Sequence, residues 1–418
     1  YDLDAVGGFL DYVPAASRAI HIDPHISRFE ALADELAEAT LTKKNANNLI
    51  RHTRELAQNI AGKTNPLDRF MQDFLGRKTF NVLNWMNSRI KANTVLGNAG
   101  TTVAQLANIP QGIAFAKQHS VNGLKRTMKS IFVPDDAIKQ SAFLKERFGN
   151  KMYRQFDDKL LDQPKNFAIW IMETADRIAT EFIWNSCYEK ALAERIANPV
   201  RFADINTRKL VAGRGIGEVP LAQQAKLFQV IAPFQVEVGN LWHVMSDTIK
   251  AKDFTGLAVL SVALWLFNRG AEQIRGTGVT FDPLDALIDA ITDEDMTPLE
   301  RVGRLAGEVV SNIPGGQTLA AITMDDYQRQ KFFGDEDPTR YGTGLLVAKG
   351  AQNPLYRLVT PFGGAQLEKT IKSLEAIGRE GVYSKDGTQL KYPISLDMTN
   401  VIKGLLFGPS AFRESQDY

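Results

Sequence analysis

The sequence predicts a mainly α-helical protein: an elongated multi-helix bundle with one small β-hairpin near its C-terminus. Apolar residues recur every three or four positions over most of the chain, helix-start motifs precede several of these stretches, and strand signals are confined to one short segment. Of the 418 residues, 44% are hydrophobic and 23% are charged, which is typical of a folded protein with a sizeable core.

The longest predicted helix covers residues 166–198. Ile171, Ala175 and Ile178 lie on one apolar stripe because they follow each other at spacings of four and three. A helix of this length would measure about 50 Å. Such an element suits an elongated bundle better than a compact sheet protein.

Helix-start motifs mark several other helices. The order TPLE at 297–300 places an N-cap threonine, a first-turn proline and an acid in sequence, and DPLD at 282–285 and NPLD at 65–68 repeat it. The order SRFE at 27–30 matches a capping box. Together with the periodicity, these motifs predict further helices over 28–39, 46–61, 67–95, 101–118, 135–148, 221–250, 255–274, 283–292, 298–311 and 365–378.

The predicted hairpin covers residues 382–392. Asp386 and Gly387 form a favoured two-residue turn because both residue types tolerate positive φ, and short runs with strand character flank them.

Glycine- and proline-rich breaks at 213–217, 312–316 and 333–338 divide the chain. The predicted segments are an N-terminal helical segment (1–65), a long-helix bundle (66–212), an apolar helical core region (220–325) and a C-terminal helix with the hairpin (345–418). Because the sequence starts at Tyr1 and has no signal-peptide pattern, we expect it to be a portion of a longer polypeptide.

Charge and cysteine content exclude several classes of function. The 49 basic and 48 acidic side chains nearly cancel, so any DNA contact would have to be local, and the basic clusters near 43–54 and 125–129 have mixed neighbours typical of a solvated face. A single cysteine, Cys187, allows neither an intrachain disulfide nor a cysteine cluster. Its helical apolar surroundings predict a buried side chain rather than a nucleophile.

The most hydrophobic segment is 254–267, which carries no charge. As a helix it would span about 21 Å, short of the ~30 Å of a bilayer core. Two interpretations stay open: a buried central helix of the bundle, or a segment that meets a membrane or a partner in an assembly. In the second interpretation the contact residues are Leu257, Leu260, Leu264 and Trp265.

We predict no catalytic, cofactor-binding or metal-binding residue. His21, Asp23 and His25 would share one side of an extended backbone, but a chain with five histidines offers few further ligands. The glycine-rich stretch 213–217 lacks the Gly-Lys-Ser/Thr ending of a phosphate-binding loop, so we interpret it as a linker.

Adjacent acids raise the question of carboxylate catalysis. They occur at 135–136, 157–158, 293–295 and 325–326, but neighbouring residues on a helix point in different directions, and the helix dipole explains acids at helix starts. Neither Gly-x-Ser-x-Gly nor His-Glu-x-x-His occurs. An enzyme module, a nuclease or a hydrolase, remains the alternative hypothesis.

Several stretches in a fixed order resemble the large polyvalent protein-associated domains found in very long proteins of phages, prophages and conjugative elements. They are LGNAGTTVAQLANIP (96–110), APFQVEVGN (232–240), LFNR with GTGVTFDP (266–269 and 276–283), and TPFGGAQ with FGP (360–366 and 407–409). Gln235 and Asn240 in the second stretch are predicted to satisfy buried backbone groups rather than to touch a ligand.

The resemblance implies a module of a virion protein that is ejected into the host with the DNA. Its partners would be other virion proteins, with which it would form an oligomeric assembly. Contact with DNA or with the bacterial membrane remains possible. No small-molecule substrate is evident. The expected location is the virion, then the host envelope or cytoplasm. The resemblance supplies no catalytic residue and no cofactor.

Overall fold

The computed structural model describes the larger part of the chain. The described residues are 23–39, 66–76, 78–82, 98–133, 135–149, 162–211, 235–276, 281–292, 296–311, 364–384 and 387–416, with the separate positions 16, 20, 50, 53, 54, 57, 85 and 225. They fall into two compact units, one built from 1–84 and 214–229 and the other from 85–213 and 230–418. Each unit therefore combines two separate pieces of chain, whereas the four predicted segments were continuous.

The first unit contains helices α1 (Asp23–Ala39) and α2 (Pro66–Leu75). Ala33 and Ile50 form a small buried core. Helix α1 starts earlier than the sequence predicts, so the predicted capping box at Ser27 is wrong: its hydroxyl donates to the Pro24 carbonyl inside the helix. The predicted helix 67–95 is interrupted at Gly76, whose φ of +80° suits glycine.

The second unit holds the other described helices. They are α3 (Ala99–Ala104), α4 (Ile109–Ala116), α5 (Ser120–Phe132), α6 (Asp136–Gln140), α7 (Ala142–Gly149), α8 (Asp162–Ala193), α9 (Pro199–Leu210), α10 (Gln235–Lys250), α11 (Phe254–Arg275), α12 (Pro283–Thr292), α13 (Pro298–Ser311), α14 (Gly364–Gly378) and α15 (Met398–Phe407). Among the described residues these helices predominate, which confirms the mainly α prediction.

Helix α8, with 32 residues, is the central element of this unit, and α4, α5 and α9 pack against it. Its residues Ile183, Trp184 and Cys187 are completely buried in the main apolar core, together with Leu210 of α9. Burial of large apolar side chains is the main stabilising contribution to such a core.

A second core lies where α11 packs on α4 and α10. Leu260 and Leu264 of α11 meet Leu241 of α10 and Phe281, which precedes α12. Asp253 caps the start of α11 by accepting a hydrogen bond from the Gly256 amide at 2.8 Å. This cap satisfies one of the free amides at the helix N-terminus.

The C-terminal part contains α14, strands β1 (Gly381–Tyr383) and β2 (Leu390–Pro393), and α15. The strands are antiparallel, Val382 pairs with Tyr392, and a bulge follows Val382. Gly387 has a φ of +73°, and its amide donates to the Ser384 carbonyl. The predicted hairpin is confirmed, and it is the one sheet within the described ranges.

Several helix boundaries differ from the prediction. The expected helix 101–118 is divided by a 3-10 segment at Gln105–Asn108 and ends before Lys117. The expected helix 135–148 is broken at Ser141, whose backbone is extended. Three helices were not predicted at all: α5, α9 and α15.

Candidate interaction surface

Helix α11 carries the four residues that the sequence offered as a membrane or partner contact. Leu260 and Leu264 are each only 1% exposed and belong to the second core, which rules them out as surface contacts in this conformation. Leu257 and Trp265 are half-buried. The predicted set of contact residues is therefore corrected: two of the four, Leu260 and Leu264, face the protein's own interior.

The outward side of α11 carries other apolar residues, including Phe254, Val262 and Leu266. By length and hydropathy α11 is the one helix of the described chain that could cross a membrane. A third of its most apolar part is buried within the protein. Lys117 forms an ion pair with the capping Asp253 at 2.9 Å. These features fit a bundle helix with one exposed side.

A clearer apolar surface lies on α5. Val121, Leu124, Met128 and Phe132 are all exposed, and Phe132 is 84% exposed. They follow at spacings of three, four and four, so at about 100° per residue they form one row along the helix. We call these four residues the α5 row.

The opposite side of α5 packs tightly against α8. A β-carbon at Gly123 would lie 2.6 Å from the Ser186 backbone α-carbon, so only glycine permits this approach. Next to it, the Asn185 amide donates to the buried Thr127 hydroxyl at 2.9 Å. The helix is thus held by its small and polar side, and its apolar side faces outward.

Arg126 connects α5 to its neighbours. The guanidinium binds Asp135 at 2.6 Å and Glu189 at 2.9 Å, and it lies 4.3 Å from the centre of the Tyr188 ring. Although partial burial opposes it, the hydrogen bond from Arg126 lowers the pKa of Asp135 below its usual range. Asp135 also caps α6 through the Ala137 amide, in agreement with the helix-start interpretation of this acid.

Two exposed lysines border the α5 row on one side. Lys125 and Lys129 are exposed and enter no ion pair with another described residue. Helical geometry places them beside the row, on the side away from Thr127. Every charged residue between Asp73 and Asp135 is basic. This acid-free run is the sequence signal that could have identified the surface, and the balanced total charge concealed it.

Exposed apolar rows also occur on α13 (Val302, Leu305, Val309), α14 (Leu367, Ile371, Leu374) and α15 (Met398, Ile402, Leu406). Glu300 and Glu308 accompany the α13 row, and the α14 row lies beside residues of both signs. The α5 row is distinct from these because its own helix carries three cations and no acid, whereas α15 carries one lysine, Lys403, which donates to the Gln273 carbonyl.

A buried ion pair holds two helices of the second unit together. Arg147 of α7 binds Asp176 of α8 through two hydrogen bonds of 2.9 and 3.2 Å, and both side chains are almost fully buried. Burial raises the pKa of the Cys187 thiol to about 12, so the thiolate is absent at neutral pH. The prediction of a buried Cys187 is confirmed.

The metal candidate His21, Asp23 and His25 requires an extended backbone, and its two described residues do not have one. Asp23 and His25 lie inside α1 rather than on an extended strand, and residues two apart on a helix do not share a face. Across the described ranges, no three His, Cys, Asp or Glu side chains are grouped as metal ligands. His21, the loop 213–217 and the acids at 157–158, 293–295 and 325–326 lie outside the described residues.

The stretches that carry the family resemblance meet in the second unit. The Ala99 amide donates to the Gln366 side chain at 3.2 Å, and Lys369 donates to Asn98 at 3.1 Å. Gly276 lies so close to the Ser410 carbonyl that no β-carbon would fit.

Asn240 has the structural role that the sequence predicts. Its amide donates to the Leu210 carbonyl at 2.9 Å and to the Gln111 side chain at 3.0 Å. The Gln235 side chain lies outside the described residues.

No family model matches the chain, and neither does any curated protein or solved structure.

Proposed function

We propose that this chain is a non-catalytic assembly module of a phage virion protein, carried in the particle and delivered into the host with the DNA. The observation that carries the assembly part is the presence of exposed apolar rows on α13, α14 and α15. Exposed apolar surface of this extent typically marks protein contacts.

The virion part of the proposal rests on the ordered resemblance of the stretches from 96–110 to 407–409. The hydrogen bond between Ala99 and Gln366 joins the first and the last of these stretches, and Gly276 of the third lies against Ser410, directly after the last, which supports a shared structural role for them. The partners would be other virion proteins or further copies of this chain. The location would be the particle first, then the host envelope or cytoplasm.

Assembly is tested on the α14 row. Ile371→Glu combined with Leu374→Glu places charges in an apolar contact without creating a cavity, because both side chains are exposed. We expect sedimentation velocity to show smaller species than the parent at equal concentration. The control is Glu375→Gln, an exposed neighbour on the same helix, which should leave the sedimentation profile unchanged.

The virion part is tested separately by mass spectrometry of purified phage particles from a lysogen that carries the gene. Peptides from the whole of 1–418 should be found in the particles at constant ratio to the capsid protein. Complete absence from particles, with the chain abundant in the lysate, contradicts the virion role and leaves the assembly result standing.

A further inference from the structure

We propose that α5 is a lipid-contact helix: the α5 row enters the headgroup region of an anionic bilayer while Lys125 and Lys129 bind its phosphate groups. The inference goes beyond the proposed virion role and does not depend on it, because it concerns the purified chain and a lipid surface.

The first argument is the arrangement of side chains around α5. The exposed half of the helix consists of Leu124, Met128, Val121 and Phe132, followed round the axis by Lys125 and Lys129. An apolar stripe bordered by lysines is the pattern of helices that lie in a membrane interface.

The second argument is charge complementarity. Of the four exposed apolar rows, the α5 row is the one whose helix carries several cations and no acid. Helix α15 also lacks acids, but it carries a single lysine, Lys403, whose amino group donates to the Gln273 carbonyl. Helix α13 carries two acids, Glu300 and Glu308, and two arginines, so its charges cancel and an anionic surface does not attract it. Anionic phosphate headgroups attract each nearby lysine by about 1 kcal/mol.

The third argument is rigidity. The inner side of α5 is fixed on α8 by the close approach of Gly123 to Ser186 and by the hydrogen bond between Thr127 and Asn185. The Arg126 side chain forms ion pairs with Asp135 and Glu189. The row is therefore presented already folded, so binding does not have to offset the entropy of ordering a helix.

A nucleic-acid partner fits these contacts less well. Its phosphates would be bound by Lys125 and Lys129, but Arg126, which could bind phosphate in a bidentate manner, is occupied by two carboxylates. Three of the four residues of the α5 row are aliphatic, so Phe132 is the one aromatic ring in the row on which a base could stack.

The test is flotation of the purified 418-residue chain with vesicles. Phosphatidylcholine mixed with phosphatidylglycerol should carry the protein upward at low salt, and phosphatidylcholine alone should do so much less. Lys125→Gln with Lys129→Gln should weaken binding to the mixed vesicles by about thirtyfold. The control Arg201→Gln with Lys209→Gln removes the same charge from exposed positions of α9 and should bind like the parent.

A second variant, Met128→Ser with Phe132→Ser, removes apolar surface only and should weaken binding more than about tenfold. Both side chains are exposed, so circular dichroism and the melting temperature should match the parent. Absence of flotation overturns the proposal, as does flotation that both α5 variants retain.

Two further outcomes would assign the surface to another partner and also overturn the proposal. If the serine variant changes the sedimentation of the protein but not its flotation, the α5 row is an interface between copies. If the glutamine variant loses binding to a DNA duplex while the parent does not float, the surface binds nucleic acid.

Discussion

The indole Nε1 of Trp184 donates a 2.7 Å hydrogen bond to Oδ1 of Asp204, joining the centre of α8 to α9. The same carboxylate accepts hydrogen bonds from the Ser141 hydroxyl and from the Ala142 amide at 3.0 Å, so it also caps the start of α7. One acid on α9 thus fixes three helices.

Replacing that carboxylate should be costly. In Asp204→Ala the buried Trp184 N–H and the free amides of α7 lose their acceptor, so we expect a loss of about 2 to 4 kcal/mol in the free energy of unfolding. Urea unfolding followed by tryptophan fluorescence measures this. The matched control is Asp136→Ala, an exposed acid paired only with Lys139, for which we expect less than about 1 kcal/mol.

The buried pair Arg147–Asp176 gives a second stability prediction. Asp176→Asn removes the negative charge that faces the buried guanidinium of Arg147 and should destabilise the protein by about 3 to 5 kcal/mol. Arg177→Gln, one residue along α8, breaks the more exposed pair with Glu181 and should cost less than about 1 kcal/mol. Equal losses in the two variants would mean that the Arg147 side chain reaches solvent.

Gly123 should not tolerate a side chain. Gly123→Ala places a methyl group against the Ser186 backbone and forces α5 away from α8, at a cost of about 1 to 3 kcal/mol. Thermal unfolding measures the change. Gly303→Ala on α13, where a β-carbon meets nothing within 4 Å, should be neutral or slightly stabilising.

Cys187 should not react with thiol reagents in the folded protein. Its thiol is completely buried and its pKa is raised to about 12, so little thiolate exists at pH 8 and the reagent cannot reach it. A colorimetric disulfide reagent should detect no thiol before denaturation and one per chain after it. Rapid labelling of the folded protein would show that α8 opens locally.

Glu414 should make stability depend on pH. Burial alone would raise its pKa, but hydrogen bonds donated by the Ser395 amide and the Asn400 side chain lower it to about 2, from 4.5 in an unfolded chain. Because the folded pKa is depressed, its stabilisation is fully present above about pH 5 and is lost as pH falls from 4.5 toward 2.

Melting temperatures of the parent and of Glu414→Gln across pH 2 to 6, chosen to cover roughly this window, measure the contribution. The two curves should be furthest apart at the upper end and converge at the lower end. A constant separation would mean that the carboxylate charge contributes nothing.

Local features of the fold were predictable because they depend on residues a few positions apart. Thr297 caps α13 as predicted, because its hydroxyl accepts a hydrogen bond from the Glu300 amide at 3.3 Å; the Thr297 amide in turn donates to the Glu300 side chain at 3.0 Å. Asp282 caps α12 by accepting from the Asp285 amide at 3.0 Å. Capping and periodicity need no knowledge of the remaining chain.

The sequence by itself determined the helical class, the starts of α12 and α13 and the hairpin turn at Gly387. Only the tertiary structure decided which side of each helix is covered: Leu260 and Leu264 point into a core, while the α5 row points outward. Hydrophobic periodicity identifies an apolar side, but what packs there depends on contacts between residues far apart in sequence, such as Gly123 with Ser186. The free energy of those contacts depends on the shapes of both packed helices, so the sequence of one helix does not determine it.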